Sequence, residues 1–317
     1  MDRILEASAS YRKVRTVLLA GGVGGARMAR GFAQVVAPDH LTVVVNVGDD
    51  TRMYGALVCA DLDTVTYTLA GIEGPEGWGI DGDSHHVMRH LANMGIDTSF
   101  QLGDRDLAHC LARTSHLEAG GTLAEFTQAA SSRLGVKAAI LPVSNDPIRT
   151  KVITDGDVKL DFQDYFVVRG QRDRVAGLEY LGADTAAPAP GVVEAIDAAD
   201  VVVIAPSNPP LSIWPLVAVA DVGAAVRRHD CAIAVSPLIG GAAVKGPLVA
   251  VMDGLGMEPT NAGIGQAYRD LGIRNLIVHE SDQADAALDG AVLAQTLIGE
   301  LEAAAALAQF ILDVASR

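Results

Sequence analysis

The chain has 317 residues, with 24 Lys or Arg against 39 Asp or Glu and a formal net charge of −15. That length excludes a small stapled scaffold and predicts one large or two modest domains burying roughly three quarters of the unfolded chain's surface. The acid excess opposes the counterion release that drives most nucleic-acid binding, so no nucleic-acid partner is expected, although backbone amides or a bound metal can still build a local site for an anionic small molecule.

Half of the residues are hydrophobic, only 4% are aromatic, and Gly alone numbers 33. An aliphatic, Ala-rich core with many tight turns suits layered α/β architecture better than an aromatic-rich β-sandwich. Cys59, Cys110 and Cys231 are odd in number and far apart, which points to a reducing compartment. No apolar leader stands in the first ten residues, and the apolar stretch Ala291–Leu312 is interrupted by Gln295, Glu300, Glu302 and Gln309. The expectation is a soluble, cytoplasmic protein with no membrane partner.

In chain order, Val14–Ala20 predicts a buried strand, followed by a glycine-rich turn and a helix to about Val36; Leu41–Val47 predicts the next strand. This is a βαβ opening, which places two parallel strands side by side. Asp83–Met94, Asp104–Glu118 and Leu123–Leu134 read as helices with Asp, Ser or Thr at their starts. A hairpin follows, Arg149–Thr154 and Val158–Val168 around an Asp155-Gly156 turn.

Residues 72–190 thus read as an inserted subdomain ending at an Ala/Pro-rich linker, Ala186–Pro190. Buried strands Asp200–Ala205 and Cys231–Ser236 flank a helix from about Ile213 to His229, and Asn275–Val278 adds another strand. Asp282–Val314 reads as one helix whose Ala-rich face suits packing on its own subunit or a dimer seam. The expected fold is a Rossmann-like, doubly wound α/β protein with a mostly parallel sheet and an inserted helical and β-hairpin subdomain. Residues 14–71 and 191–280 would form the core, and 281–317 the C-terminal helix.

Four segments could carry chemistry. In LLAGGVGGAR, Gly22, Val23, Gly24 and Gly25 lie between a strand and a helix, where backbone N–H groups and the helix dipole suit a phosphate. Arg27 stands where a dinucleotide fingerprint needs its third glycine, which weakens a dehydrogenase reading; a tight βα turn without ligand also accounts for the glycines. Asp49 and Asp50 follow the second strand, and Asp61 and Asp63 open the next helix. Near a phosphate loop these carboxylates would suit Mg²⁺, while singly they serve as turn or capping residues.

Ser207 and Asn208 in APSNPP, and Ser236, Gly240 and Gly241 in SPLIGG, offer polar groups at the same sheet edge, with ordinary turn chemistry as the plain alternative. In LGDRD, Asp104 and Asp106 could stabilise a helix start, whereas Arg105 could clamp an anion. His85 and His86 have no metal-like spacing and read as solvated or core-edge side chains.

Taken in order, GGVGGAR, NVGDDT, DLDTVTYTL, LGDRDLA, ILPVSND, FQDYFV, APSNPPLSI and SPLIGGAAVKGP resemble the 2-phospho-L-lactate transferase family of coenzyme F-420 biosynthesis, from about Thr16 to about His279. The resemblance implies a Rossmann-like, dimeric, Mg²⁺-dependent transferase. Its donor would be a guanosine diphosphate ester of a lactyl, enolpyruvyl or related three-carbon acid, its acceptor the ribityl hydroxyl of the deazaflavin Fo, and GMP would leave.

On that basis Asp50 and Asp63 are expected to be catalytic and to hold Mg²⁺, with Asp49 or Asp61 assisting. The glycine turn and the PSN and SPLIGG loops would hold the donor, and Asp63, Gln101 and Arg105 would border the deazaflavin. Ala108-His109-Cys110, where many members carry a Thr-His pair after the GDRD block, and the DGDSHH segment depart from the family pattern and leave the three-carbon acid open. A non-catalytic nucleotide-sensing regulator of the same fold is the alternative.

Overall fold

Runs of Val, Ile, Leu and Ala too short for helices become strands when both faces are covered, and seven of them here build one sheet. In chain order they are β1 (Thr16–Ala20), β2 (Leu41–Val45), β3 (Ala139–Pro142), β4 (Val201–Ile204), β5 (Ala232–Val235), β6 (Asn275–His279) and β7 (Ala291–Ala294). The sheet order is β7-β6-β5-β4-β1-β2-β3, and every adjacent pair is parallel. This is the Rossmann order with one further strand, and the direction of winding reverses between β1 and β4. All residues of β1, β4 and β5 are buried, as parallel strands sandwiched by helices require. The computed structural model describes residues 11–282 and 290–317.

Five helices matter for the site: α1 (Gly22–Val35), α2 (Ala60–Ala70), α3 (His86–Asn93), α4 (Asp104–Glu118) and α5 (Leu123–Arg133). Helix α1 runs against the C-terminal helix Leu301–Ala315 so closely that a Cβ on Gly31 would lie 2.4 Å from the Ala304 carbonyl oxygen. Two small satellite cores flank the main one. Ala56, Val58, Met88, Leu102, Leu107 and Cys110 pack α3 and α4 together. Val152, Phe162, Tyr165, Val175, Leu211 and Val251 fill the space under a three-stranded antiparallel sheet formed by Arg149–Thr154, Lys159–Asp161 and Val175–Leu181.

Several expectations are corrected. The single helix over Asp282–Val314 is replaced by β7, an irregular link and the helix Leu301–Ala315; residues 283–289 lie outside the described residues. Parallel pairing of Leu276–His279 with Ala291–Ala294 outweighs the helix preference of an Ala/Leu-rich run. Ala304, Leu307, Ala308, Ile311 and Leu312 are buried in the chain's own core, so the Ala-rich face packs within the subunit.

The helix Ile213–His229 is broken into a π-helical turn at Pro209–Ile213 and helices Trp214–Val217 and Ala220–Arg228. The second hairpin strand stops at Asp161 and gives way to a π-helical turn, Asp164–Val168. Segment 72–190 supplies the edge strand β3 and is therefore not wholly an insertion. Ala186–Pro190 is tied down rather than a linker, with Ala189 N–H donating to the Val143 carbonyl and Ser144 Oγ to that of Ala187. Among the described residues no single helix is long and apolar enough to cross a membrane.

Candidate functional site

Open α/β sheets bind ligands beyond the C-terminal ends of their strands where the winding reverses. At that position the chain leaves β1 through Gly21 and enters α1 at Gly22, whose φ of +63° is the left-handed conformation that favours glycine. The neighbouring glycines answer to packing. A Cβ on Gly24 would lie 2.5 Å from the Pro206 carbonyl oxygen, and one on Gly25 would lie 2.9 Å from Ala20 Cβ. Ser207, at the end of β4, donates through Oγ to the Gly21 carbonyl at 2.8 Å and ties the two central strands together above the sheet. A tightly packed turn is thus demonstrated, and the space beside Gly22 is open.

Beside it four aspartates divide into three states. Asp61, in the first turn of α2, accepts from the Gly22 N–H at 2.7 Å and from Asn46 Nδ2 at 3.0 Å, so it caps the glycine turn from within the protein. Burial raises its carboxyl to about 6. Asp49 and Asp50 follow β2; each has a buried Oδ1 with no hydrogen-bond partner. Burial raises Asp49 well above the ordinary carboxylate range, with repulsion from Asp61 and Asp50 adding to the effect. Burial likewise pushes Asp50 up to about 8, against a hydrogen bond from the Cys59 thiol.

Asp63 is the opposite case. Burial opposes its charge, but Arg113 and His109 hold it below the usual range. Arg113 Nη2 pairs with Asp63 Oδ1, and His109 Nε2 stands 3.4 Å from the same oxygen.

Neither Arg113 nor its helical phase stood out in the sequence, yet Asp106, His109, Cys110 and Arg113 recur at helix spacing on α4 and face α2. The Tyr67 hydroxyl donates to Asp106 at 2.8 Å, and burial with the nearby Asp63 charge raises Asp106 to about 6. Cys110 Sγ lies 3.9 Å from Asp63 Oδ2. The spacing of charged residues along an otherwise amphipathic helix was the available signal.

The remaining expected residues hold mostly structural positions. Asn208 accepts from Leu211 N–H at 3.2 Å, and Ser236 accepts from Leu238 N–H at 3.1 Å while pairing with Asn261. Gly240 and Gly241 both have positive φ in the turn joining Leu238–Ile239 to Ala242–Ala243, as a type I′ hairpin requires. Val23 touches the Gly74–Gly79 loop, because a Cβ on Gly77 would fall 2.7 Å from Val23 Cγ1. From the other side Lys245 reaches this loop, donating to the Glu76 carbonyl at 2.7 Å and lying 4.4 Å over the Trp78 ring.

Arg105 and Gln101 are exposed. Arg105 pairs with Asp83 and donates to the Asp81 carbonyl, and Gln101 donates to that of Thr98. The DGDSHH segment proves to be capping chemistry. Asp83 accepts the Arg105 and Asp106 N–H groups at the start of α4, while Asp104 accepts those of His86 and Val87 at the start of α3. His86 lies against Arg89, and His85 is the residue before α3.

A Rossmann-order sheet with a glycine turn at its switch point, and carboxylates with unsatisfied buried oxygens beside it, defines a doubly wound α/β protein. The family model for 2-phospho-L-lactate transferase CofD matches residues 16–304, and the chain belongs to that family. It is 39% identical over 316 residues to the phosphoenolpyruvate transferase of Kitasatospora aureofaciens, covering 96% of this chain and 98% of that one. Against the 2-phospho-L-lactate transferase of Methanopyrus kandleri the identity is 37% over 277 residues, covering 86% and 88%. A crystal structure of a UPF0052 family protein from Bacillus halodurans shares the fold, with TM-score 0.66, 17% identity and coverage of 94% and 99%. The chain is accordingly a transferase of coenzyme F-420 biosynthesis.

Proposed function

We propose that this transferase moves a phosphoenolpyruvyl group from a guanosine diphosphate ester to the ribityl hydroxyl of the deazaflavin Fo, releasing GMP. Phospholactyl and phosphoglyceryl donors are the competing substrates. The observation that carries the reading is the pair of buried, unpartnered oxygens Asp49 Oδ1 and Asp50 Oδ1 beside the glycine turn. Two hard oxygen ligands in a site that disfavours their own charge fit a divalent cation such as Mg²⁺. Bound there, it would neutralise diphosphate charge and stabilise the GMP leaving group.

The chain's residues supply the rest. Gly22 leaves room for a donor phosphate, and the α1 N-terminus favours its charge. Asp61 is engaged with Gly22 and Asn46 and holds the turn in shape. Asp63, kept ionised by Arg113, serves as an acceptor for an O–H or N–H group of Fo, with Gln101 and Arg105 at the rim of that pocket. Nothing in the arrangement calls for a covalent enzyme intermediate; in-line attack by the ribityl hydroxyl suffices once both substrates are oriented.

The preference for enolpyruvate follows several relatives of 38–40% identity that are named phosphoenolpyruvate transferases. A homodimer in the cytoplasm is part of the same proposal. The test is incubation with Fo, Mg²⁺ and equimolar enolpyruvyl, lactyl and glyceryl donors, with mass analysis of the product. Dominant enolpyruvyl product is expected, and no GMP release with any donor overturns the proposal.

A further inference from the structure

The α2–α4 interface buries an arginine to which the proposed chemistry gives no contact with either substrate. Arg113 is 2% exposed. Its Nη1 donates to the Leu57 carbonyl at 3.0 Å, its Nη2 pairs with Asp63 Oδ1, and its guanidinium lies 5.5 Å from the Phe126 ring centroid. His109 brings a second nitrogen to the same Asp63 oxygen, and its ring is held edge-on to Tyr67 at 5.5 Å and to Phe126 at 5.2 Å. Asp63 Oδ2, by contrast, faces the Cys110 thiol at 3.9 Å, a weak donor, with Asp106 in the same cluster. One oxygen is therefore fixed by two anchored groups, and the other has a weak thiol donor in place of a cation.

A buried ion pair is a poor source of net stability compared with well-packed apolar residues, so an arginine here asks for another explanation. A planar fork held at both ends restricts the carboxylate's rotation in a way a point charge does not.

We propose that Arg113, supported by His109, is a positioning residue that orients Asp63 so that Oδ2 receives a hydrogen bond from the deazaflavin acceptor. This rests on the reading above that Asp63 contacts Fo.

The test is a double-mutant cycle on Fo affinity, followed by the deazaflavin's own absorbance, with GDP affinity measured by calorimetry on the same proteins. Arg113→Lys keeps the charge but loses the fork. It is expected to weaken Fo binding about tenfold and to raise KM for Fo more than it lowers kcat, with GDP affinity within about twofold of wild type. In an Asp63→Asn background the same substitution should change Fo affinity by less than about twofold, because its target is gone.

Unchanged Fo affinity in Arg113→Lys, additive effects in the cycle, or equal loss of Fo and GDP binding each overturn the proposal. His109→Asn, which removes the second group on the same oxygen, carries the cycle should Arg113→Lys fail to fold. If the wild-type protein binds GDP but no Fo, the acceptor reading itself falls, an outcome distinct from an additive cycle in a protein that binds Fo.

Discussion

Asp50 and Asp63 are the same residue type, thirteen positions apart and both shielded from solvent, yet their carboxyls shift in opposite directions because Asp63 pairs directly with Arg113 while Asp50 feels it only at a distance. For Asp50 the consequence is a pH dependence with a definite sign. Its carboxyl ionises near 3.8 when unfolded and near 8 when folded. Between these values the folded, metal-free protein binds more protons than the unfolded chain, so stability falls as pH rises through that window. The Tm of metal-free protein should decrease from pH 5 to pH 8, and Asp50→Asn should flatten that decrease and raise Tm at pH 8. Mg²⁺ at about 100 times its Kd should add about 2.7 kcal/mol at pH 8, a rise of several degrees, and Asp50→Asn should remove most of it. Scanning calorimetry with and without EDTA checks both statements. The acidic pair was legible because two aspartates directly after an apolar strand must sit at the sheet edge. The cation under Asp63 was not legible, because Arg113 lies fifty residues away and only the packing of α4 on α2 brings it there.

At the scale of elements, α3 and α4 cap each other. Asp83 precedes α3 and caps the N-terminus of α4, while Asp104 opens α4 and caps the N-terminus of α3, accepting from Ser84 Oγ at 2.6 Å as well. These bonds hold the Asp104 carboxyl at about 2. Asp104→Ala should therefore lower the urea midpoint at pH 7, and that difference should vanish as pH falls through 2, where the cap is protonated. The glycines separate a second pair of effects. Gly31→Ala forces a Cβ into the Ala304 carbonyl and should destabilise by about 1–3 kcal/mol while leaving steady-state KM values unchanged. Gly24→Ala presses on Pro206 at the switch point and should raise the donor KM as well. The opening βαβ unit was readable because fully buried parallel strands are continuous apolar runs. Ala291–Ala294 was not, because an Ala/Leu run satisfies helix and strand alike until pairing with Asn275–His279 decides between them.

At the scale of the whole molecule, the net charge of −15 sets the sign of long-range forces on an anionic donor. Among the described residues three of the four aspartates near the glycine turn have no cationic partner, and Asp50, pushed up to about 8, is largely uncharged at neutral pH without metal, so the protein repels a diphosphate at a distance and offers it no cation at contact. A bound divalent cation supplies that contact attraction and leaves the distant repulsion in place. Two experiments follow that differ in sign. With EDTA, GDP affinity should be at least tenfold weaker than with Mg²⁺, and it should improve as salt rises from about 10 to 150 mM, because screening over a Debye length of about 8–10 Å weakens net repulsion. With saturating Mg²⁺, the same rise in salt should leave affinity level or reduce it, because the interaction being screened is then attractive at the site. Calorimetric titrations across both salt series decide the matter. Equal salt slopes in the presence and absence of the cation would mean that the diphosphate is held by backbone amides alone, and that Asp49 and Asp50 are unpaired for a reason other than metal binding.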